Sequence, residues 1–275
     1  MMAILGVAGS AYGLPEFTEI PLSQVTQQDL SLQGQRALSI RPREWHHAET
    51  PHFVLHFFHS FIAAPVSVEA EFYDRYITAD LGVAMNLDAP AGKSHLYLFE
   101  TQADWSVFCQ TVSLEPWTGA VTIGNSLFVP RYPEFKWKGN ALGHEIAHLL
   151  MHRSVGTQLP LWLEEGYAED VSDRGYKTFY RARGYQALPR ESASPGWIPL
   201  ARLTAFKTYP DAAEVTAFYR ESRSLTAFLI REAGKERFLE LFKAMAGGTP
   251  FQTALGSRWN SLDALEGAFK NRSEE

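Results

Sequence analysis

The stretch HEIAHLLMHRSVGTQLPLWLEEGYAED, residues 144–170, decides how this chain is organised. It places His144 and His148 four positions apart, and residues at this spacing share one face of a helix. Both imidazoles can therefore bind one metal ion, while Glu145 lies beside them without being a ligand. This arrangement predicts the site of a zinc hydrolase.

A third ligand has to come from outside the first helix, because a catalytic zinc ion takes three protein ligands and leaves a fourth position for water. His152 continues the four-residue series, but it lies about 12 Å along the axis from His144, too far to share the ion. Glu165 is the favoured third ligand, since Pro160 suits the first turn of a second helix. The apolar residues that would pack this helix under the first are Leu159, Leu161, Trp162 and Leu163.

The glutamates of the two motifs have different expected roles. Glu145 can take a proton from the metal-bound water and later deliver it to the leaving amine. Glu169, one turn after Glu165, can accept the free N–H of a ligand histidine, although a solvated carboxylate on a helix face explains it equally well. Glu164 and Glu169 remain the alternatives to Glu165 as third ligand.

An ordinary amphipathic helix is the main alternative explanation for HEIAH. In that interpretation the two histidines are polar surface residues and the intervening apolar residues face the core. The segment WLEEG, residues 162–166, is independent of the first motif and lies on a second predicted helix. Its presence at a workable distance favours the metal site.

Three further segments carry a resemblance to a known family. PLWLEEGYAED at 160–170, FYRESRSLTAFLIREAGKERFLELFKAM at 218–245 and ALGSRWNSLDALEGAFK at 254–270 follow HEIAH. Together they resemble the gluzincin metallopeptidases, and within them the compact bacterial peptidase MA-like group. The likeness covers roughly residues 45–270, and only the two zinc motifs in it are specific.

The resemblance implies a role for each matching residue. His144, His148 and Glu165 would bind Zn²⁺, and Glu145 would be the general base and acid. Tyr219 stands where the family pattern has a tyrosine that donates a hydrogen bond to the oxyanion of the tetrahedral intermediate. Plain packing of a buried tyrosine is the alternative for Tyr219. The implied substrate is a peptide or protein.

The expected fold class is α+β and zincin-like, with a small mixed sheet, an edge hairpin, a pair of metal-site helices and a C-terminal helical lobe. We expect an N-terminal segment over residues 1–44, running over the surface. A catalytic domain follows over 45–270, with an N-lobe at 45–155 and a helical C-lobe at 156–270. Asp170, where an aromatic residue is usual in the family, leaves one wall of the site undefined.

The first half of the catalytic domain has a β-α-β pattern. FVLHFF at 53–58 and HLYLF at 95–99 are predicted strands, with a helix at 66–82 between them. GAVTI and SLFVP flank a Gly-Asn pair at 124–125 that suits a tight hairpin. In gluzincins such a hairpin forms the sheet edge that binds extended peptide, and residues 119–129 occupy that place. An ordinary hairpin is the alternative.

Later segments are less well defined. Residues 176–199 lack periodicity and are predicted to be a loop or lid, whose Tyr180, Tyr185 and Trp197 would either contact substrate or anchor the connection. From about residue 211 onward the pattern is helical.

A second group of histidines precedes these motifs, and it raises the question of a second metal site. Strand alternation points Phe53, Leu55 and Phe57 one way and His52 and His56 the other, toward solvent or a covering helix. An ordinary polar face is favoured over a second metal. The group consists of His46, His47, His52, His56 and His59.

The composition of the chain argues against several kinds of partner and site. The net charge of −6, from 25 Lys plus Arg against 31 Asp plus Glu, offers no basic footprint, so we expect no nucleic-acid partner. No stretch is long and apolar enough to predict a membrane span. Cys109 is the only cysteine, so an intrachain disulfide is excluded, and a buried, unreactive thiol is expected.

The first residues, MMAILGVAGSAYG at 1–13, end an apolar run in small residues, as secretory signals do. Arg36 is the first basic residue, so the positively charged start of such a signal is missing. The remnant of an export signal and an ordinary terminus therefore both remain open. Exported and cytoplasmic locations are equally compatible with this sequence, which does not define an oligomeric state either.

The sequence thus predicts a zinc-dependent peptidase, endopeptidase or aminopeptidase, that hydrolyses a peptide bond by attack of water without a covalent intermediate. The main alternative is a binding or scaffolding module that retains zinc but has lost turnover. A protein without any metal is the third interpretation.

Overall fold

A five-stranded mixed sheet forms the first half of the protein. The computed structural model describes residues 17–82, 92–114, 118–133, 139–155, 159–184 and 197–273. The strand order is β1-β2-β3-β5-β4; β2, β3 and β5 run parallel, and β1 and β4 are antiparallel edges. The strands are β1 His46–Glu49, β2 Phe53–Phe57, β3 Ser94–Phe99, β4 Val121–Ile123 and β5 Ser126–Pro130.

Ten α-helices accompany the sheet in the described residues, so the predicted α+β class is confirmed, and the arrangement is compatible with a zincin-like fold. The helices are α1 Leu32–Ser39, α2 Ser60–Leu81, α3 Gln102–Thr111, α4 Ala141–Val155, α5 Leu161–Arg181, α6 Leu200–Leu203, α7 Val215–Ala233, α8 Lys235–Ala246, α9 Phe251–Leu255 and α10 Leu262–Ser273.

Both faces of the sheet are covered, which explains why its central strands are almost continuously apolar. Side chains such as Leu55 and Leu96 point into the main core, which α2 and α4 complete. Alternate residues such as Tyr97 point to the other face, where α1 and α3 cover a second, aromatic cluster. Cys109 of α3 lies buried in that cluster, as predicted, and burial raises the pKa of its thiol to about 11.

The predicted hairpin connects β4 to β5. Gly124 adopts a positive φ of 58°, which a residue without a Cβ reaches at no steric cost. Asn125, the second residue of the turn, links it to β3, because its side-chain oxygen accepts a hydrogen bond from the Ser94 hydroxyl at 2.7 Å. The hairpin makes β4 the strand at one edge of the sheet, next to α4.

Two helix boundaries differ from the sequence prediction. α2 begins at Ser60 rather than 66, because the helix runs back through Pro65 instead of starting at it. α5 continues to Arg181, so the loop predicted from residue 176 is wrong at its start. Aromatic packing explains the extension, since Phe179 lies 4.9 Å from the Phe72 ring of α2. The central part of the predicted loop, residues 185–196 with Tyr185, lies outside the described residues.

Trp197 follows that gap and packs on the C-terminal helix. Its ring centroid lies 5.4 Å from Phe269, and the ammonium group of Lys270 lies 4.8 Å above it. These contacts favour the anchoring role over substrate contact for this residue. Tyr180, the other described aromatic of the predicted loop, belongs to α5 and lies 4.4 Å from the ring of Tyr176.

The leading segment is more integrated than expected. Residues 17–44 lie mostly at the surface, but α1 buries Gly34 and Ala37 against the aromatic face of the sheet. Glu19 forms an isolated bridge to Ala48 of β1. Residues 1–16, where the export signal was considered, lie outside the described residues. None of the helices in the described part of the chain is long and apolar enough to cross a membrane.

The C-terminal helices pack closely on α5. A Cβ added to Gly166 would overlap the backbone oxygen of Ser222 and the hydroxyl of Thr226, so α5 and α7 approach as near as a glycine allows. Asp80, near the end of α2, links this helix to α5 and α8. It accepts hydrogen bonds from Arg174 and Tyr167 of α5 and from Lys235 of α8.

Candidate metal centre

Three ligand atoms converge where α4 meets α5. The Nε2 atoms of His144 and His148 lie 3.0 Å apart, and Oε2 of Glu165 lies 3.3 Å and 3.6 Å from them. The sequence order explains the convergence, because HEIAH puts both imidazoles on one face of α4 and Pro160 starts α5 directly beneath it. The structure thus brings together the three residues predicted as ligands.

The spacing of these atoms fits a tetrahedral zinc ion. Ligand atoms about 2.0 to 2.2 Å from such an ion lie about 3.4 Å from one another. The Glu165 side chain is only 2% exposed, and its Oε2 has no hydrogen-bond partner. A buried carboxylate oxygen without a donor is costly, and a cation bound between these three atoms would satisfy it.

The outward nitrogen of each histidine has a carboxylate of its own. Nδ1 of His148 lies 3.0 Å from Oε1 of Glu164, and Nδ1 of His144 lies 3.3 Å from Oε1 of Glu169. Such partners hold the proton on Nδ1 and leave Nε2 free to bind a metal. Glu169 lies where its predicted supporting role requires. Glu164, considered above only as an alternative ligand, has the same position at the other histidine.

His152 lies outside the three-atom site. Its Nε2 contacts Oε1 of Glu164 at 2.7 Å, so Glu164 bridges His152 and His148. His148, His152 and Glu164 form a second group of atoms close enough together to hold an ion. This group shares His148 with the first group and uses the His148 nitrogen that faces away from Glu165. The prediction that His152 is not the third ligand agrees with this position.

Carboxylates outnumber the imidazoles and determine the electrostatics. Burial alone would lower the pKa of His144, but the neighbouring carboxylates of Glu165 and Glu169 outweigh it and raise that pKa to about 9. Burial would likewise raise the pKa of Glu165, and the two nearby histidines instead lower it well below its usual value. The site therefore favours positive charge between these residues.

Glu145 is held beside the ligands by the edge strand. The Thr122 hydroxyl of β4 lies 2.9 Å from Oε2 of Glu145 and 2.9 Å from its backbone oxygen. Burial raises the pKa of the Glu145 carboxyl. A glutamate with a raised pKa, next to two imidazoles that could hold a metal ion, has the properties of a group that both accepts and returns a proton.

Two tyrosines flank the centre. The ring of Tyr219, on α7, lies 6.3 Å from the ring of His144, and Tyr219 is partly buried. Tyr209, in the connection before α7, stacks on Tyr219 at 6.1 Å and donates a hydrogen bond to Oε1 of Glu165. No sequence pattern indicates this role of Tyr209, because the residue lies 44 positions from Glu165 with no motif around it.

The second group of histidines has a different arrangement. Nδ1 of His56 lies 2.8 Å from Nδ1 of His47, and Nε2 of His56 lies 2.9 Å from Nδ1 of His95. The nitrogens form a chain instead of converging. In the described part of the protein, none of the five histidines considered for a second metal belongs to a convergent set of ligands. His56 is fully buried on the covered face.

Comparison with known proteins identifies the family. The family model of the Peptidase MA superfamily matches residues 80–271, which is more than half of the chain and includes both motifs with the candidate ligands and the C-terminal helices. No curated protein matches the chain. The match of the family model confirms the resemblance to peptidase MA-like proteins of the gluzincin clan. On this match, the chain belongs to the Peptidase MA superfamily.

Proposed function

We propose that this protein is a zinc-dependent peptidase whose metal ligands are His144, His148 and Glu165. The observation that carries the proposal is the convergence of two Nε2 atoms and one unpartnered, buried carboxylate oxygen at tetrahedral spacing. Membership of a superfamily of peptidases supports the same conclusion. In this proposal the metal-site helices span the boundary between an N-lobe at 45–155 and a C-lobe at 156–270.

Zinc bound there would lower the pKa of a coordinated water to about 7 and polarise the substrate carbonyl. Glu145 takes the proton from the attacking water and returns it to the leaving amine, while Thr122 holds its carboxylate in place. Tyr219 donates a hydrogen bond to the oxyanion, an interaction worth about 3 to 4 kcal/mol in comparable sites.

The substrate in this proposal is a peptide or protein bound in extended form. β4 lies at the edge of the sheet and carries Thr122, which contacts Glu145. A peptide added along that edge would gain main-chain hydrogen bonds and bring its scissile bond near the general base. The proposal gives a role to the contact between this three-residue edge strand and the helix that carries Glu145.

The test combines metal analysis with one substitution. Purified wild type should contain one zinc per chain and hydrolyse casein or a peptide library. Glu145→Gln should keep the zinc and lose roughly two to four orders of magnitude in rate, the usual contribution of a general base. Glu240→Gln, at an exposed carboxylate on α8, is the matched control and should retain full activity.

Each contrary outcome selects a different alternative. Zinc without hydrolysis in the wild type would favour the binding or scaffolding module. Equal rates for Glu145→Gln and wild type would refute the proposed proton transfer. Purified protein that binds no metal would eliminate both zinc-based interpretations.

A further inference from the structure

Tyr209 contacts the second oxygen of the Glu165 carboxylate. Its hydroxyl donates to Oε1, while Oε2 of the same carboxylate faces Nε2 of His144 and of His148. The two carboxylate oxygens therefore have separate partners. Oε1 accepts the hydrogen bond from Tyr209, and Oε2 faces the two imidazoles.

Packing alone does not explain this side chain. Tyr209 is 53% exposed, so about half of its surface stays in solvent, although its ring stacks on Tyr219 at 6.1 Å and meets the edge of Phe218 at 6.3 Å. Its hydroxyl nevertheless reaches a carboxylate that is 2% exposed. An exposed residue that directs its polar atom onto a buried charged group is positioned for that contact.

We propose that Tyr209 is a positioning residue that holds Glu165 as a ligand through one oxygen only. This inference rests on the proposed metal function of the site. A carboxylate with a free second oxygen can rotate and bind through both atoms, and this would occupy the coordination position that water and the substrate carbonyl need. The hydrogen bond from Tyr209 removes that freedom by engaging Oε1.

Tyr219 provides the matched comparison, because it is the neighbouring, stacked tyrosine on α7. In the proposed mechanism its hydroxyl acts on the oxyanion and not on the metal ligand. Loss of the Tyr209 hydroxyl should therefore change metal binding, whereas loss of the Tyr219 hydroxyl should change turnover.

The experiment measures zinc affinity by competition with a chelating dye for wild type, Tyr209→Phe and Tyr219→Phe. Tyr209→Phe should bind zinc roughly 10- to 100-fold more weakly, the usual cost of losing a group that supports a metal ligand. Its cobalt-substituted form should also show altered visible absorption, which reports a change in coordination. Tyr219→Phe should keep the wild-type zinc affinity and cobalt spectrum and lose activity.

Two failures can be told apart. Wild-type protein that binds no zinc contradicts the proposed function itself. Wild-type zinc binding together with an unchanged affinity and spectrum in Tyr209→Phe overturns only the positioning role. Thermal unfolding of the metal-free variants is the folding control, and equal melting temperatures ensure that a weaker affinity reports the site and not the fold.

Discussion

Two histidine clusters in this protein contain the same side chain and differ in nearly every other respect. In the candidate metal centre, called the metal centre below, His144 and His148 turn their Nε2 atoms toward each other and toward Glu165. In the sheet cluster of His47, His56 and His95, the rings are linked end to end by N···N contacts. Acidic neighbours explain the contrast between them.

Carboxylates contact both nitrogens of the metal-centre imidazoles, and they raise the pKa of His144 and of His148 despite burial. The sheet cluster has no carboxylate in contact within the described residues. Burial there lowers the pKa of all three histidines, and that of His47 falls to about 4. The comparison teaches that, in this protein, carboxylate neighbours distinguish the histidine group that can hold a cation from the one that forms a chain of ring contacts.

The largest expected effect is on the stability that zinc adds, which should depend on the histidines of the metal centre and not on those of the sheet cluster. At a zinc concentration a thousandfold above its dissociation constant, bound zinc should raise the free energy of unfolding by about 4 kcal/mol. His148→Ala should abolish that increment, whereas His56→Phe should keep it, whatever the variant does to the metal-free protein. Urea denaturation with and without zinc measures both. A zinc increment lost in His56→Phe would mean that the sheet cluster also binds metal.

The supporting carboxylates should have the next largest effect. Glu164→Gln and Glu169→Gln should each weaken zinc binding about 10-fold or more, because each removes the charge at Nδ1 of a ligand histidine. Glu71→Gln is the matched control, since Glu71 contacts Nδ1 of His52 at 2.7 Å outside the metal centre. Competition with a chelating dye gives the affinities. Equal affinities in all three variants would contradict the supporting role.

The sheet cluster should make stability depend on pH. An unfolded histidine protonates near pH 6.5, whereas folded His47 does so only near pH 4 and the pKa of fully buried His56 is well below its usual value. Below pH 6.5 the unfolded chain therefore binds more protons. The free energy of unfolding falls as pH decreases, by up to about 1.4 kcal/mol per pH unit for each histidine.

His56→Phe should reduce this slope between pH 6.5 and 5 by up to the contribution of one histidine. Urea denaturation of the metal-free wild type and variant at several pH values checks it, and the metal-centre histidines contribute equally to both. Parallel curves for the two proteins would show that His56 is protonated in the folded state.

The smallest expected effect concerns polar atoms without partners. In the candidate metal centre one unpartnered atom, Oε2 of Glu165, is a proposed ligand, whereas the hydroxyl of Tyr97, whose ring stacks on His56 of the sheet cluster, is simply buried without a hydrogen bond. Tyr97→Phe should leave the free energy of unfolding unchanged or raise it by up to about 1 kcal/mol. A loss greater than 1 kcal/mol in thermal or urea unfolding would mean that this hydroxyl has a stabilising partner.

Local periodicity and motif spacing predicted the elements that build the site. The four-residue spacing of His144 and His148 defines one helix face, and Pro160 marks the start of the next helix, so the approach of Glu165 follows from chain geometry. The central strands and the hairpin at 124–125 also followed from apolar runs and turn residues. Both signals act over a few residues, where sequence and structure are closely coupled.

Contacts between distant segments were not predictable in the same way. Tyr209 reaches Glu165 across 44 residues, and no periodicity indicates this. The face of β2 that carries His56 was expected to meet solvent or a helix, and only the packing of α1 and α3 decides between them. The supporting role of Glu164 depends on which of two adjacent glutamates faces the metal. That choice is set by the rotation of α5 against α4.

Gly166 follows Glu165 directly and sets how closely α7 can pack on α5. The separation of these helices therefore also affects how far Tyr219, which α7 carries, lies from the proposed metal ligand Glu165 on α5. A larger side chain at position 166 would force α7 away from α5 and move Tyr219 relative to the three proposed ligands. In the proposed mechanism, such a change in helix spacing would alter the oxyanion interaction without replacing any group that performs the chemistry.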